Sequence, residues 1–452
     1  MVDKEIFEHM PVPKAILKSV VPAIIGMVVV LVYNIADTYF VGQIGDPLQV
    51  AAVSLTVPVF LLFMATGNLL GIGGTSVISR ALGAGRIEYA KKVSSFVFYA
   101  SLILGVFMMM LFLGGMGFIL KLIGASADTA GFAKSYLMYV APSAPFVIIS
   151  TAFSNIVRAE GKSKEAMVGM MIGTIVNIIL DPIMILSMNL GVAGAALATL
   201  IGNVAGAAYY IYYVLKKSSL LSLSPKDFDF RDNIMLGVFA IGIPAALNNV
   251  LMSLSNILLN NFLATYGDIQ VAAMGVAMKV AMIVALLQIG LGIGIQPLLG
   301  YSYGAQNHKR FNSIIKVALL YSIVMGVVIT SLCWVGAPTI VRAFIDSKEV
   351  FTYGVQFVKA LLVSGVVIGT LFVFMNTLQA LGAAKESLIL SISRQGLVFV
   401  PLLFILNRTM GLTGIVYAQP FADIFSIALS ALLFFYKSRK LWASHESVLE
   451  VH

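Results

Sequence analysis

The chain has 452 residues, 60% hydrophobic and only 11% charged, with a mean hydropathy of +0.98. A soluble protein of this length needs far more surface charge, so most of the chain must face lipid or other helices. The net charge of +9 is dispersed over short connections instead of gathering in a basic patch, which excludes a nucleic-acid-binding surface.

From the N-terminus, MVDKEIFEHMPVPKAILK places charges and prolines where a cleavable signal would carry its apolar stretch, so the first span is expected to be retained. Apolar runs follow at 14–42, 48–79, 93–120, 132–157, 166–188 and 193–215, then at 235–265, 270–301, 315–341, 351–378, 388–406 and 411–436. Each is close to or beyond the roughly 20 residues that a bilayer-spanning helix needs. The expected fold class is an all-α membrane protein with twelve transmembrane helices, six per half. KKSSLLSLSPKDFDFRDN at 216–233 is the long polar connection, and its Ser, Pro and charge mark a linker. The chain thus divides into an N-terminal lobe at 1–218, a cytoplasmic linker at 219–231 and a C-terminal lobe at 232–452. Lysine and arginine concentrate in alternate connections, such as Arg80 to Lys92 and Lys216 to Arg231, whereas the opposite ones hold Lys121, Lys134, Arg342, Lys348 and Arg408. The positive-inside rule then puts both termini in the cytoplasm of a multi-pass protein of the cell membrane, embedded in the lipid bilayer. No feature calls for a second subunit, and a monomer is expected.

The second half repeats the first with a shift of about 221 residues. GDPLQVAA at Gly45–Ala52 returns as GDIQVAA at Gly267–Ala273, and GIGGTSVISRALGA at Gly71–Ala84 returns as GIGIQPLLGYSYGA at Gly292–Ala305. Pro22 pairs with Pro244, Asn34 with Asn256 and Asn155 with Asn376. A duplicated bundle with a cavity between its halves is a common build of secondary transporters.

Ionisable groups at membrane depth are costly and functional by default. Three acids qualify: Asp37 in the first span, Asp181 in the fifth and Asp423 in the twelfth. Asp37 lies one turn beyond Tyr33 and Asn34, and Asp181 one turn beyond Asn177, so each carboxylate has polar neighbours on its own helix face. Pro182 follows Asp181 and should loosen the fifth helix beside the acid, although kinks of this kind also serve packing alone. In the repeat Asp37 aligns with Leu259 and Asp181 with Pro401 or Leu402, so neither acid belongs to the shared scaffold. Among bases, Lys279 either pairs with a carboxylate in the cavity or snorkels, Lys359 snorkels, and Arg394 opens the eleventh span. Cys333 is the sole cysteine, and the four histidines lie in tails or a connection without metal spacing. With no nucleophile–base pair in the spans, neither an enzyme nor a cofactor is expected.

The duplication, NIADTYFVGQIGDPLQVAA from Asn34, SRALGAG from Ser79, NIVRAEGKSKEAM from Asn155, NIILDP from Asn177 and GVAGAALAT from Gly191 together resemble the MATE (multidrug and toxic compound extrusion) family over nearly the whole chain. The resemblance implies two six-helix lobes in a V that alternate between inward- and outward-open states, exporting small amphipathic, commonly cationic compounds against inward H⁺ or Na⁺. It also implies an N-lobe ion site at Asp37 and Asp181, with Tyr33, Tyr136, Asn177 and Thr199 around them and Ser154 and Asn155 nearby; Na⁺ would sit at Asp37, Asp181 and Asn177. Where NorM-like relatives carry a glutamate in the seventh span, this chain has Asn248, Asn249 and Met252, which places it nearer the DinF- and MepA-like branches. Asn34, Asn249, Met252, Asn256, Lys279 and Asp423 are the expected substrate-cavity residues.

Burial raises the pKa of a carboxylate towards neutrality, so such a group can exchange a proton for a cation, and oxygen ligands equally suit Na⁺. Both ions stay open. The alternative function is a flippase for a lipid-linked glycan precursor, which would be expected to line its cavity with several bases; only Lys279, Arg394 and Lys359 are available.

Overall fold

The computed structural model describes residues 4–231, 233–344 and 347–449; Asp232, where the second lobe is expected to begin, lies outside them. A π-helical turn at Glu5–His9 precedes α1 (Val12–Gly42), α2 (Pro47–Gly83), α3 (Ile87–Gly114), α4 (Met116–Leu122), α5 (Ala127–Ala159), α6 (Ser163–Pro182) and α7 (Gly191–Lys216). After the linker come α8 (Ile234–Ala264), α9 (Asp268–Gly304), α10 (His308–Phe344), α11 (Lys348–Leu361), α12 (Ile368–Ala380), α13 (Ala384–Ile392), α14 (Val400–Met410) and α15 (Leu412–Leu449). π-Helical turns extend α6 through Ile183–Ser187 and join α13 to α14 through Ser393–Phe399. No strand occurs among the described residues.

Among the described residues, eleven segments are long and apolar enough to cross a bilayer. The tenth span, expected as one run at 351–378, is instead α11 and α12 separated by turns at 362–367. Hydropathy is continuous across this point, but Ser-Gly pairs break helices, and Ser364-Gly365 sits at its centre. The neighbouring helix reinforces the break: a Cβ on Gly326 of α10 would lie 2.2 Å from the Val366 carbonyl oxygen.

The described residues pack as two compact units, one of those within 4–10, 25–242 and 304–306, the other of those within 11–24, 243–303 and 307–449. The repeat is visible in the contacts within each. In unit 1, a Cβ on Gly71 of α2 would meet Asn155 Nδ2 of α5 at 2.9 Å, and in unit 2 one on Gly292 of α9 would meet Asn376 Nδ2 of α12 at 2.5 Å. Both asparagines turn their amide onto their own helix, to Thr151 O at 3.0 Å and Phe372 O at 2.9 Å, so the polar group is satisfied at a glycine-sized approach. Cys333 packs against the apolar core of unit 2.

The linker is not a loose tether. Leu220, Leu221 and Leu223 are buried, Ser95 Oγ and Tyr99 Oη of α3 donate to Ser224 O and Leu223 O at 2.9 and 3.1 Å, and Lys92 pairs with Asp229 at 3.0 Å. At its start Ser218 Oγ donates to Glu160 Oε2 at 2.7 Å, and the Tyr213 hydroxyl donates to Glu160 Oε1.

Two tests follow from this packing. A Cβ on Gly105 of α3 would lie 2.4 Å from Pro145 Cα of α5, whereas one on Gly114 would meet nothing within 4 Å. G105V should therefore cost about 1–3 kcal/mol and lower the melting temperature of detergent-purified protein, while G114V leaves it unchanged. Burial pushes the Glu160 carboxyl above its ordinary range, partly offset by the Tyr213 and Ser218 hydroxyls and by Lys162. An acid whose folded pKa exceeds its unfolded value penalises folding when ionised, and the penalty fades as pH falls through the raised value. The melting temperature should thus gain more from acidification between about pH 8 and pH 5 in the wild type than in E160Q; identical slopes would dissociate Glu160 from that gain.

Candidate functional site

Within unit 1, α1 carries Tyr33 and Asp37 on one face, α5 supplies Tyr136, α6 supplies Asn177 and Asp181, and α7 supplies Thr199. The structure brings these six together. Tyr33 shares a side-chain hydrogen bond with Thr199 and lies within electrostatic reach of Asp37 and Asp181, as does Tyr136. Asn177 Nδ2 donates to Thr199 Oγ1 at 3.3 Å, and Asn203 Nδ2 holds the Thr199 carbonyl at 2.8 Å. Asp37 is half-buried, while Asp181 has no exposed surface.

The two carboxylates feel each other's charge, yet neither oxygen of Asp181 accepts a hydrogen bond among the described residues, and Asn177 Oδ1 is likewise unpartnered. Pro182 contributes no N–H, and the helix passes directly into the π-helical turn Ile183–Ser187. π-Turns in helices frequently mark functional sites. Val41, Ile185 and Ala195 form a small buried apolar cluster, with Phe40 and Tyr136 packed against it. Beside it, an open apolar cavity of about 420 Å³ is lined by Val32, Ile35, Ala36, Tyr39, Phe40 and Ile178. The arrangement offers oxygen atoms to a small positive ion next to an apolar surface.

Ser154 and Asn155 face a different group. Both accept from Arg158 Nη2, at 3.2 and 3.1 Å, and this arginine is buried. Of the expected substrate-cavity residues, Asn34 is exposed and donates to Val30 O at 2.9 Å. Asn249 and Asn256 are half-buried on α8 with Met252 exposed between them. Lys279 is exposed, with Nζ 5.5 Å from the centre of the Phe344 ring. Lys359 lies 4.4 Å over Trp334.

Asp423 is buried and ion-paired. Its Oδ1 accepts from Arg394 Nε and Nη2 at 3.2 and 3.1 Å and from Gln419 Nε2 at 2.9 Å, and its Oδ2 accepts from Ser364 Oγ at 3.1 Å. Opposite charges in adjacent spans are the sequence signal for this pair; Ser364 has none, because its role depends on the break in the tenth span.

The MatE family model matches the chain once in each half, over residues 22–183 and 244–405. The multidrug export protein MepA of Staphylococcus saprophyticus is 35% identical over 433 residues, covering 96% of this chain and 95% of its own. Among solved structures, MATE in complex with MaL6 superposes with a TM-score of 0.91 at 26% identity, covering 98% of this chain and 99% of that one. An outward-facing multidrug resistance MATE family transporter of the MOP superfamily gives 0.90 at 26% identity, covering 97% of each chain. A family match repeated in each half, on an all-helical fold alike over its whole length, establishes that the chain belongs to the MatE family of multi-pass membrane transporters.

Proposed function

We propose that this chain is a cation-coupled multidrug efflux antiporter that exports amphipathic, commonly cationic compounds by alternating access, driven by inward H⁺ or Na⁺. The observation that carries the reading is Asp181: a carboxylate without exposed surface, in a spanning helix, with no donor on either oxygen. A bare buried charge is too costly to persist, so it is neutralised by a proton or a bound cation. Asp37, half-buried within its field, shares that charge, and Tyr33, Tyr136, Asn177 and Thr199 supply the surrounding oxygens. Loss of the ion restores the charge and changes which helix arrangement has the lower energy, and the π-turn after Pro182 gives α6 a place to bend. Asn34 in unit 1 and Asn249, Met252 and Asn256 in unit 2 are assigned to substrate contact. The similarity to MepA supports export of drugs as the outcome.

D37N and D181N should each abolish drug resistance and ion-driven efflux in whole cells while leaving protein abundance in the membrane unchanged. Wild-type efflux by either variant removes that residue from coupling. Running the assay with a pH gradient alone and with a Na⁺ gradient alone identifies the ion.

In this reading the protein is a monomer of the cell membrane with both termini in the cytoplasm. In a background where Cys333 is replaced by serine, single cysteines at the exposed positions Lys162 and Lys226 should react with impermeant maleimide only after the cells are opened. Cysteines at Ser126 and Thr409, also exposed, should react in intact cells. Reaction of all four from one side would overturn the topology.

A further inference from the structure

Two carboxylates at membrane depth stand in opposite electrostatic states. Asp181 in unit 1 has no donor, while Asp423, the one buried carboxylate of unit 2 among the described residues, has four donor contacts and a guanidinium counter-charge. Arg394 is in turn the buried cation of unit 2, held in the π-helical turn Ser393–Phe399 and lying 5.6 Å from the Phe372 ring. Buried ion pairs are poor sources of stability, since apolar replacements often do as well. Their electrostatic effect is large, however, because an unpaired charge acts at long range through a medium of low dielectric.

We propose that Arg394 is a specificity-determining residue: by cancelling the charge of Asp423 it leaves the buried side chains of unit 2, among the described residues, without net charge, so that selection of cationic over anionic substrates rests on the carboxylates of unit 1. Ser364 and Gln419 are positioning residues for the pair. Ser364 reaches it from the break in the tenth span, and Gln419 lies one turn before Asp423 on α15. The inference rests on the reading of cationic substrates given above.

Tetraphenylphosphonium and tetraphenylborate serve as probes, being nearly the same size and shape with opposite charge. Their dissociation constants are measured on monodisperse protein, and the ratio is compared with that of the wild type. D423N leaves the Arg394 guanidinium unanswered. As a scale, a unit charge acting over about 10 Å at an effective dielectric of about 20 is worth about tenfold in affinity, so phosphonium should weaken and borate should tighten by that order. Q419K keeps a donor beside Oδ1 but adds a positive charge, and it should shift the ratio in the same direction. R394M/D423N removes both charges and should return the ratio to within about threefold of wild type, as should R394K, which keeps the charge.

If D423N does not fold, Q419K decides alone. An unchanged ratio in the folded variants, or equal weakening of both probes as expected of a purely structural pair, would overturn the proposal. A wild type that does not prefer phosphonium would instead remove the cationic substrate reading, while the shift between variant and wild type would still test the role of Arg394.

Discussion

Inside a bilayer a polar atom has no solvent to turn to, and each one must be answered by another part of the protein or by something the protein carries. This chain meets that requirement at several of its buried polar groups. Asn155 and Asn376 bond their own helices, Thr199 receives Asn177 and Asn203, and Asp423 receives four contacts. Among the buried side-chain atoms left without a partner within the described residues, the carboxylate oxygens are those of Asp181. Where hydrogen-bonded polar groups stiffen the bundle, this one leaves a buried acid unanswered by the side chains around it.

The close helix packing serves the same end. Lipid offers no hydrophobic drive to press helices together, so contact relies on shape and on paired polar groups. Gly71 against Asn155 and Gly292 against Asn376 supply the shape, once in each half, while each asparagine amide is satisfied on its own helix. The α3–α5 approach at Gly105 and Pro145 shows the same dependence on a missing side chain. Scaffold contacts are thus duplicated and the bare acid is not, as expected if the fold is older than its charge distribution.

The spans, the repeat and the two N-terminal acids were legible in the sequence because each leaves a local mark: an apolar run, a recurring motif, an acid where acids are costly. Tyr33 and Asn177 were legible from their one-turn spacing to Asp37 and Asp181, whereas Tyr136 and Thr199 were legible only through the family pattern, since two other helices carry them. The break at 362–367 left no mark in hydropathy; it depends on Gly326 of another helix allowing close approach to Val366. The packed linker was missed for a related reason. Its serines and charges look like those of a free connection, and only the hydroxyls of α3 reveal that its backbone is bound. Ser154 and Asn155 share the motif of Arg158, and it is this arginine that they hold.

The Arg394–Asp423 pair also bears on how the chain enters the membrane in the first place. The two residues belong to consecutive spans whose connection is a single tight turn, with Met410 ending α14, Gly411 at φ +60° and Leu412 beginning α15. A span carrying a lone arginine or aspartate partitions poorly into lipid. Two such spans entering as a hairpin bring opposite charges together, so this hairpin is suited to insert as one element, with its partner for neutralisation built in.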